Sequence, residues 1–213
     1  NKYEKNTDAI MLKKCGVEKP YYPSLACLHG TKMEMVAQLL YEEKHNVKVL
    51  EFGCLEHPEY SFIGASPDGI TETGVMLEIK NPYSREIIGV PPVQYFCQMQ
   101  IQLEVCDLEI CDFLECAYNF YDTYEELKTG ELGQTHGYSK YGVLIEVYDS
   151  QDKNTPIHRY CPLDYNLEQK KVWIENTITQ LTTTISCMFE PRIQWWALRK
   201  YSEYRVYRNN EWF

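Results

Sequence analysis

No stretch of the 213 residues approaches the ~20 consecutive apolar residues that a membrane-spanning helix needs. The opening, Asn1 to Lys14, is polar and lacks the apolar centre of a secretory signal. Low-complexity and repeated segments are missing, and the 11 Gly and 10 Pro are scattered, which excludes collagen-like and disordered scaffolds. Positive charge is scarce: 21 Lys and Arg against 31 Asp and Glu leave a net −10. That balance excludes a protein that holds nucleic acid by bulk charge alone. Tight cysteine pairs are absent as well. Nine cysteines, an odd number without any C-x2-C pair, make neither a small disulfide scaffold nor a zinc cage. His29, His45, His57, His136 and His158 show no metal-ligand spacing. The thiols therefore read as mostly buried, in a protein of a reducing intracellular compartment with no membrane partner. The chain opens on Asn1 and not Met, which suggests a trimmed native start.

What is present is ordinary globular material: 44% hydrophobic, 14% aromatic and 24% charged. A chain of this size fits one domain that buries roughly 70% of its unfolded surface. After a mixed opening with a short apolar cluster at Ile10–Leu12, a helix is predicted from Thr31 to about His45, where Met33, Val36, Ala37, Leu40 and Tyr41 recur at helical steps. Strands are predicted at Val47–Leu55, Tyr60–Ala65 and Val75–Lys80, separated by turn signals at Pro67-Asp68-Gly69 and Gly74. Pro91-Pro92 opens a helix reaching about Val105. Further strands are expected at Glu109–Phe120, Gly142–Tyr148 and Ile157–Tyr160, with an exposed loop over 122–141. Leu167, Ile174, Ile178, Leu181, Ile185 and Met188 mark a long amphipathic helix. The order predicts an α/β (α+β) domain around one mixed central sheet flanked by helices, occupying 1–190. Residues 191–213, rich in Trp, Tyr, Arg and Lys, read as a C-terminal tail packed on the domain or on a neighbouring subunit, with stacking on single-stranded DNA as the functional alternative.

The chemistry concentrates in Ser66-Pro67-Asp68-Gly69, followed ten residues after Asp68 by Glu78-Ile79-Lys80. A tight turn holds Asp68 at the end of one strand, and the neighbouring strand presents Glu78. If the strands pair, the two carboxylates converge. Hard cations such as Mg²⁺ take one or two carboxylates plus waters and substrate phosphate. Lys80 shares a strand face with Glu78 and can help generate the attacking hydroxide or offset charge on a phosphate oxygen. An acid followed by acid-x-lysine on adjacent strands is thus a layout for metal-dependent phosphodiester hydrolysis. Pro-Asp-Gly is also an ordinary turn, and Glu78 with Lys80 could be a surface ion pair. Against that, Met76 shares their face, so the strand reads as buried on both sides, and a buried Glu and Lys need a reason.

Two helices offer further candidates. Glu34 sits in Thr31-x-x-Glu34, which fits a capping box, or alternatively faces the sheet edge near Asp68 as ligand to a second metal. Gln98 and Gln100 point about 200° apart, so one of them at most faces the site. Gln94, Gln98, Ile101 and Val105 form one stripe, which favours Gln98 as a neutral amide that can hold water or phosphate.

Together, His29-Gly30-x3-Glu34, Ser66-Pro67-Asp68-Gly69, Leu77-Glu78-Ile79-Lys80-Asn81-Pro82 and Tyr95-x2-Gln98-x-Gln100 resemble the phage lambda exonuclease and YqaJ-type viral recombinase family of the PD-(D/E)xK nucleases. The resemblance covers about 30–118. It implies a restriction-endonuclease-like core and Mg²⁺-dependent 5′→3′ digestion of double-stranded DNA ends, with Mn²⁺ able to substitute and one or two ions per site. The product is a 3′ overhang for recombination or repair through a single-strand annealing protein. By position, Asp68, Glu78 and the Ile79 carbonyl hold metal, Glu34 serves a second ion, and Lys80 and Gln98 activate or position water. Ser66 matches a serine that contacts the 5′-phosphate, and Arg85 and Tyr95 are taken as further DNA contacts. A trimeric ring around DNA and a viral or prophage origin, with the host cytoplasm or nucleus as location, are further implications. The family's upstream basic and serine segment is not matched before Glu34, where Asn1 to Leu28 offers only Lys13, Lys14 and Ser24.

Two competing readings come from other nuclease or non-enzyme classes. Cys97, Cys106, Cys111 and Cys116 invite an iron–sulfur RecB-like endonuclease, but strand alternation puts Cys111 and Cys116 on opposite faces. A degenerate, non-catalytic DNA-binding module has no need of Asp68, Glu78 and Lys80.

Overall fold

A computed structural model describes residues 11, 15–16, 23–130, 140–150, 155–184 and 190–212. Most of the apolar cluster near the start, and Ile185 and Met188, lie outside these residues.

Helix α1 spans Leu25–His45, six residues longer at its start than expected. Ser24 is its N-cap, with Oγ accepting from the Cys27 amide at 3.2 Å. At the other end Asn46 takes the left-handed conformation (φ 52°) that asparagine tolerates. Thr31 and Glu34 are therefore mid-helix, and the capping-box reading of Glu34 is wrong. Downstream, the predicted strand at 47–55 resolves into two short ones: β1 (Val49–Leu50) and β2 (Leu55–Glu56). The segment predicted at 60–65 is strand only at β3 (Gly64–Ala65), which pairs with β2 as a separate hairpin. Next come β4 (Gly69–Thr71), β5 (Met76–Lys80), α2 (Val93–Cys106) and β6 (Ile110–Tyr121). Pro91-Pro92 sits just ahead of α2, as expected.

The predicted loop over 122–141 contains a short helix, α3 (Tyr124–Thr129), capped by Thr123 and pinned by the buried Leu127, while 131–139 lie outside the described residues. β7 (Tyr141–Tyr148), β8 (Pro156–Tyr160), α4 (Leu167–Thr184) and β9 (Arg192–Tyr207) complete the chain.

The architecture is the expected mixed sheet with helices packed on it. Seven strands run in the order β1-β4-β5-β6-β9-β7-β8. Among the described residues only β5 and β6 pair in parallel, and α2 provides the crossover between them. The remaining neighbours are antiparallel. β9 corrects the sequence reading. Residues 192–207 are a strand inside the sheet, between β6 and β7, so the domain does not stop at 190. Trp195 and Trp196 are both buried, because each face of this strand is covered.

The two faces of β5 bury different partners. Leu77 and Ile79 join Met33, Val36, Ala37, Leu40 and Leu114 under α1. Met76 joins Met99, Leu103 and Phe113 under α2. Cys116 belongs to the first cluster and Cys111 to the second, the opposite placement that strand alternation predicts. Glu78 and Lys80 therefore point to the α2 side, at the end of β5 where the chain leaves the sheet.

Candidate active site

The turn that carries Asp68 is fixed by a close approach. A Cβ on Gly69 would stand 2.2 Å from Val49 Cγ1, so only glycine lets β4 lie against β1 here. Gly69 pairs with Leu77, which sets the Asp68 turn beside the end of β5. Asp68 Oδ2 then accepts the Ile79 amide at 2.6 Å. Its carboxyl is pushed up to about 7, first by burial and then by the neighbouring Glu78 carboxylate, with Lys80 pulling the other way.

Glu78 is 0% exposed and is held on both oxygens. Oε1 takes a charge-assisted contact from Lys80 Nζ and a hydrogen bond from Gln98 Nε2 at 2.8 Å. Oε2 accepts from Gln102 Nε2 at 2.8 Å. The same Gln102 amide lies 3.2 Å from the Ser66 carbonyl, which ties the helix to the turn before Asp68. Burial would lower the Lys80 ammonium, but the Glu78 and Asp68 carboxylates outweigh it and hold Lys80 above its ordinary value. Lys80 is thus a fixed cation at neutral pH.

A cleft of about 550 Å³ opens over this group. Glu34 from α1, Asp68, Ile79, Lys80, Arg85 and Tyr95 all line it. Glu34 is open to water, yet partial burial raises its carboxyl, against the pull of Lys80. Its carboxyl also feels Glu78, and Asp68 feels Glu34, so the two acids on the cleft wall share a field with Glu78 buried behind it. Lys80 Nζ and the Arg85 guanidinium carbon lie 5.2 and 5.9 Å from the centre of the Tyr95 ring. The Ser66 side chain is exposed at the adjoining turn.

Of the sequence candidates, Glu34, Asp68, Glu78, Lys80, Gln98, Ile79, Arg85 and Tyr95 come together around this cleft. Gln100 does not: it binds the Tyr207 carbonyl and the Asn209 amide, and fastens the chain after β9. Gln102 was missed. It lies four residues after Gln98, one helical turn along, and that spacing is the signal that could have found it.

The donor set suits a hard cation. Asp68, Glu78 and the Ile79 carbonyl offer oxygens only, and the acids outnumber the one lysine among them. Among the described residues no three His, Cys, Asp or Glu side chains close around a metal. Two carboxylates, a carbonyl and waters are what Mg²⁺ accepts, whereas structural zinc sites take four tetrahedral ligands.

The chain matches the YqaJ-like viral recombinase domain over residues 1–109. It is 34% identical over 207 residues to a protein of Acanthamoeba polyphaga mimivirus described only as uncharacterized. The match takes in 82% of this chain but 38% of that relative's length. Among solved structures it is similar to an alkaline exonuclease (LHK-Exo) from Laribacter hongkongensis, with a TM-score of 0.48 and 19% identity over 84% of this chain and 75% of that one. A phage-related exonuclease from Haemophilus somnus 129PT gives a TM-score of 0.49 and 13% identity over 97% of this chain and 72% of that one. With its first 109 residues matched throughout, the chain belongs to the YqaJ-like viral recombinase family.

Proposed function

We propose that this chain is a Mg²⁺-dependent deoxyribonuclease that digests double-stranded DNA ends 5′→3′ and leaves 3′ overhangs for recombination through strand annealing. The observation that carries the reading is the Glu78 carboxylate, fully buried and gripped by Lys80, Gln98 and Gln102 beside Asp68. A buried acid with that much support is built for a charged partner and not for stability alone. Membership of the viral recombinase family points the same way.

In this reading Asp68, Glu78 and the Ile79 carbonyl hold the first ion, and Glu34 serves a second. Mg²⁺ or Mn²⁺ held there would make the attacking water more acidic and offset charge on the phosphate. Lys80, kept protonated by its carboxylate neighbours, faces the charge that builds on a phosphate oxygen. The Gln98 amide orients the attacking water. Arg85 and Tyr95 hold the DNA strand along the cleft wall, and Ser66 receives the 5′-phosphate. A ring of three copies encircling the duplex would let an acidic protein stay on DNA without a basic surface.

The decisive assay uses linear duplexes labelled at either end, with and without a 5′-phosphate, beside a closed circle, all in Mg²⁺. Loss of the 5′ label first, with the circle intact, supports the proposal. Cutting of the circle makes the protein an endonuclease, and no cutting in Mg²⁺ or Mn²⁺ rejects catalysis.

A further inference from the structure

Glu115 has no place in the chemistry above, yet it sits in the middle of the sheet and is 1% exposed. It occupies the rung of β6 that pairs with Lys80 on β5, so both side chains leave the same face of the sheet. Its Oε1 accepts Arg85 Nη2 at 2.5 Å, and its Oε2 is buried with no partner among the described residues. A buried carboxylate committed to one half-exposed arginine is costly unless the pair is needed.

The arginine end explains the arrangement. Arg85 lines the cleft, its side chain is 37% exposed, and its other hydrogen bond is from Nη1 to the Glu86 carbonyl at 3.2 Å. Guanidinium carries five N–H donors in a rigid fork, so donors remain for an oxyanion after both bonds are made. The loop that bears Arg85 is also anchored elsewhere: Ile87 is buried, and Lys200 Nζ donates to its carbonyl at 2.6 Å. Glu115 therefore fixes the arginine side chain more than the loop.

We infer that Glu115 is a positioning residue, which holds Arg85 against the cleft so that its free N–H groups meet a DNA backbone phosphate next to the one being cut. This rests on the reading of the cleft as a DNA nuclease site. It makes a counter-intuitive prediction. Plain electrostatics says that deleting an acid near bound DNA tightens binding; loss of a tether says the reverse.

The test is fluorescence anisotropy of a labelled linear duplex with the full chain in EDTA, over a salt series, with Mg²⁺ kinetics alongside. Glu115→Gln keeps the shape and removes the charge. It should weaken binding on the order of 10-fold, equivalent to one lost contact, and flatten the log–log salt slope by about 0.9, the signature of one phosphate. KM should rise by a similar factor with kcat little changed. Arg85→Gln should match it, and the double variant should be no weaker than either single one. Unchanged or tighter binding by Glu115→Gln, or additive losses in the double variant, overturns the inference. Should Glu115→Gln fail to fold, Arg85→Gln still decides, because an unchanged salt slope in that surface variant overturns it. A wild-type protein that neither binds nor cuts duplex rejects the nuclease reading itself, and the tether with it.

Discussion

Gln102 Nε2 lies 2.8 Å from Glu78 Oε2, inside the core and out of reach of solvent. With Gln98 one turn earlier on Oε1, helix α2 clamps the carboxylate from both sides. The crossover helix that makes β5 and β6 parallel is thus also what holds the acid in place behind the cleft wall.

That clamp can be measured. Gln102→Ala leaves a buried carboxylate oxygen short of its donor, at a cost of about 1–3 kcal/mol. Nuclease activity should fall along with the melting temperature. Gln100→Ala, whose partners are Tyr207 and Asn209, should cost stability with little change in kcat. Equal kinetic losses in the two variants would argue against the clamp.

Asp68→Asn should reduce DNA hydrolysis by roughly 10³-fold or more, which is about 4 kcal/mol of barrier, with the circular dichroism spectrum unchanged. Hydrolysis at the wild-type rate would remove Asp68 from the chemistry.

The same residue sets a pH dependence. Its carboxyl is raised from its ordinary value of 3.8 to about 7 in the folded protein, mainly by burial. The folded chain therefore binds a proton more tightly than the unfolded one, and stability drops as pH rises from about 4 to about 7. Without divalent ions, Asp68→Asn should melt higher than wild type at pH 8 and close to it at pH 4. Added Mg²⁺ should raise the wild-type melting point at pH 8 and do little at pH 5, where the carboxyl is protonated. A variant that melts no higher at pH 8 would count against the buried, raised acid.

Trp196 is 1% exposed on the strand between β6 and β7. Trp196→Ala should cost about 3–5 kcal/mol, and removal of residues from 192 onward should abolish cooperative unfolding in a thermal melt. A stable, cooperative fragment ending at 190 would reinstate the tail.

Local patterns carried the sequence reading where one physical signal ruled. The alternation in β5, the two prolines before α2 and the acid-x-lysine spacing each located an element or a residue beside the cleft. The failures have equally local causes. β9 is covered on both faces and carries Trp195 and Trp196 side by side, so it shows no alternation, and its Arg205 looks like surface until Asp112 is found buried against it at 2.8 Å. Thr31-x-x-Glu34 imitates a capping box, but Ser24 caps the helix earlier. Gln102 was passed over because the apolar Ile101 and Val105 drew the stripe away from it. Glu115 gives no local signal, since only the sheet register reveals its place next to Lys80.

The order of strands also dictates when the molecule can become whole. β9 is made after both β6 and β7, yet it is inserted between them, and they have no direct pairing with each other. Until Tyr207 has emerged, a nascent chain carries two open edges at the centre of its sheet, each primed to pair with a foreign strand. Closure of the sheet is therefore a late stitch that waits for residues 192–207, slowed by the long loops it must bridge, and a chain that stops short of them leaves a sticky half-sheet in place of a smaller domain.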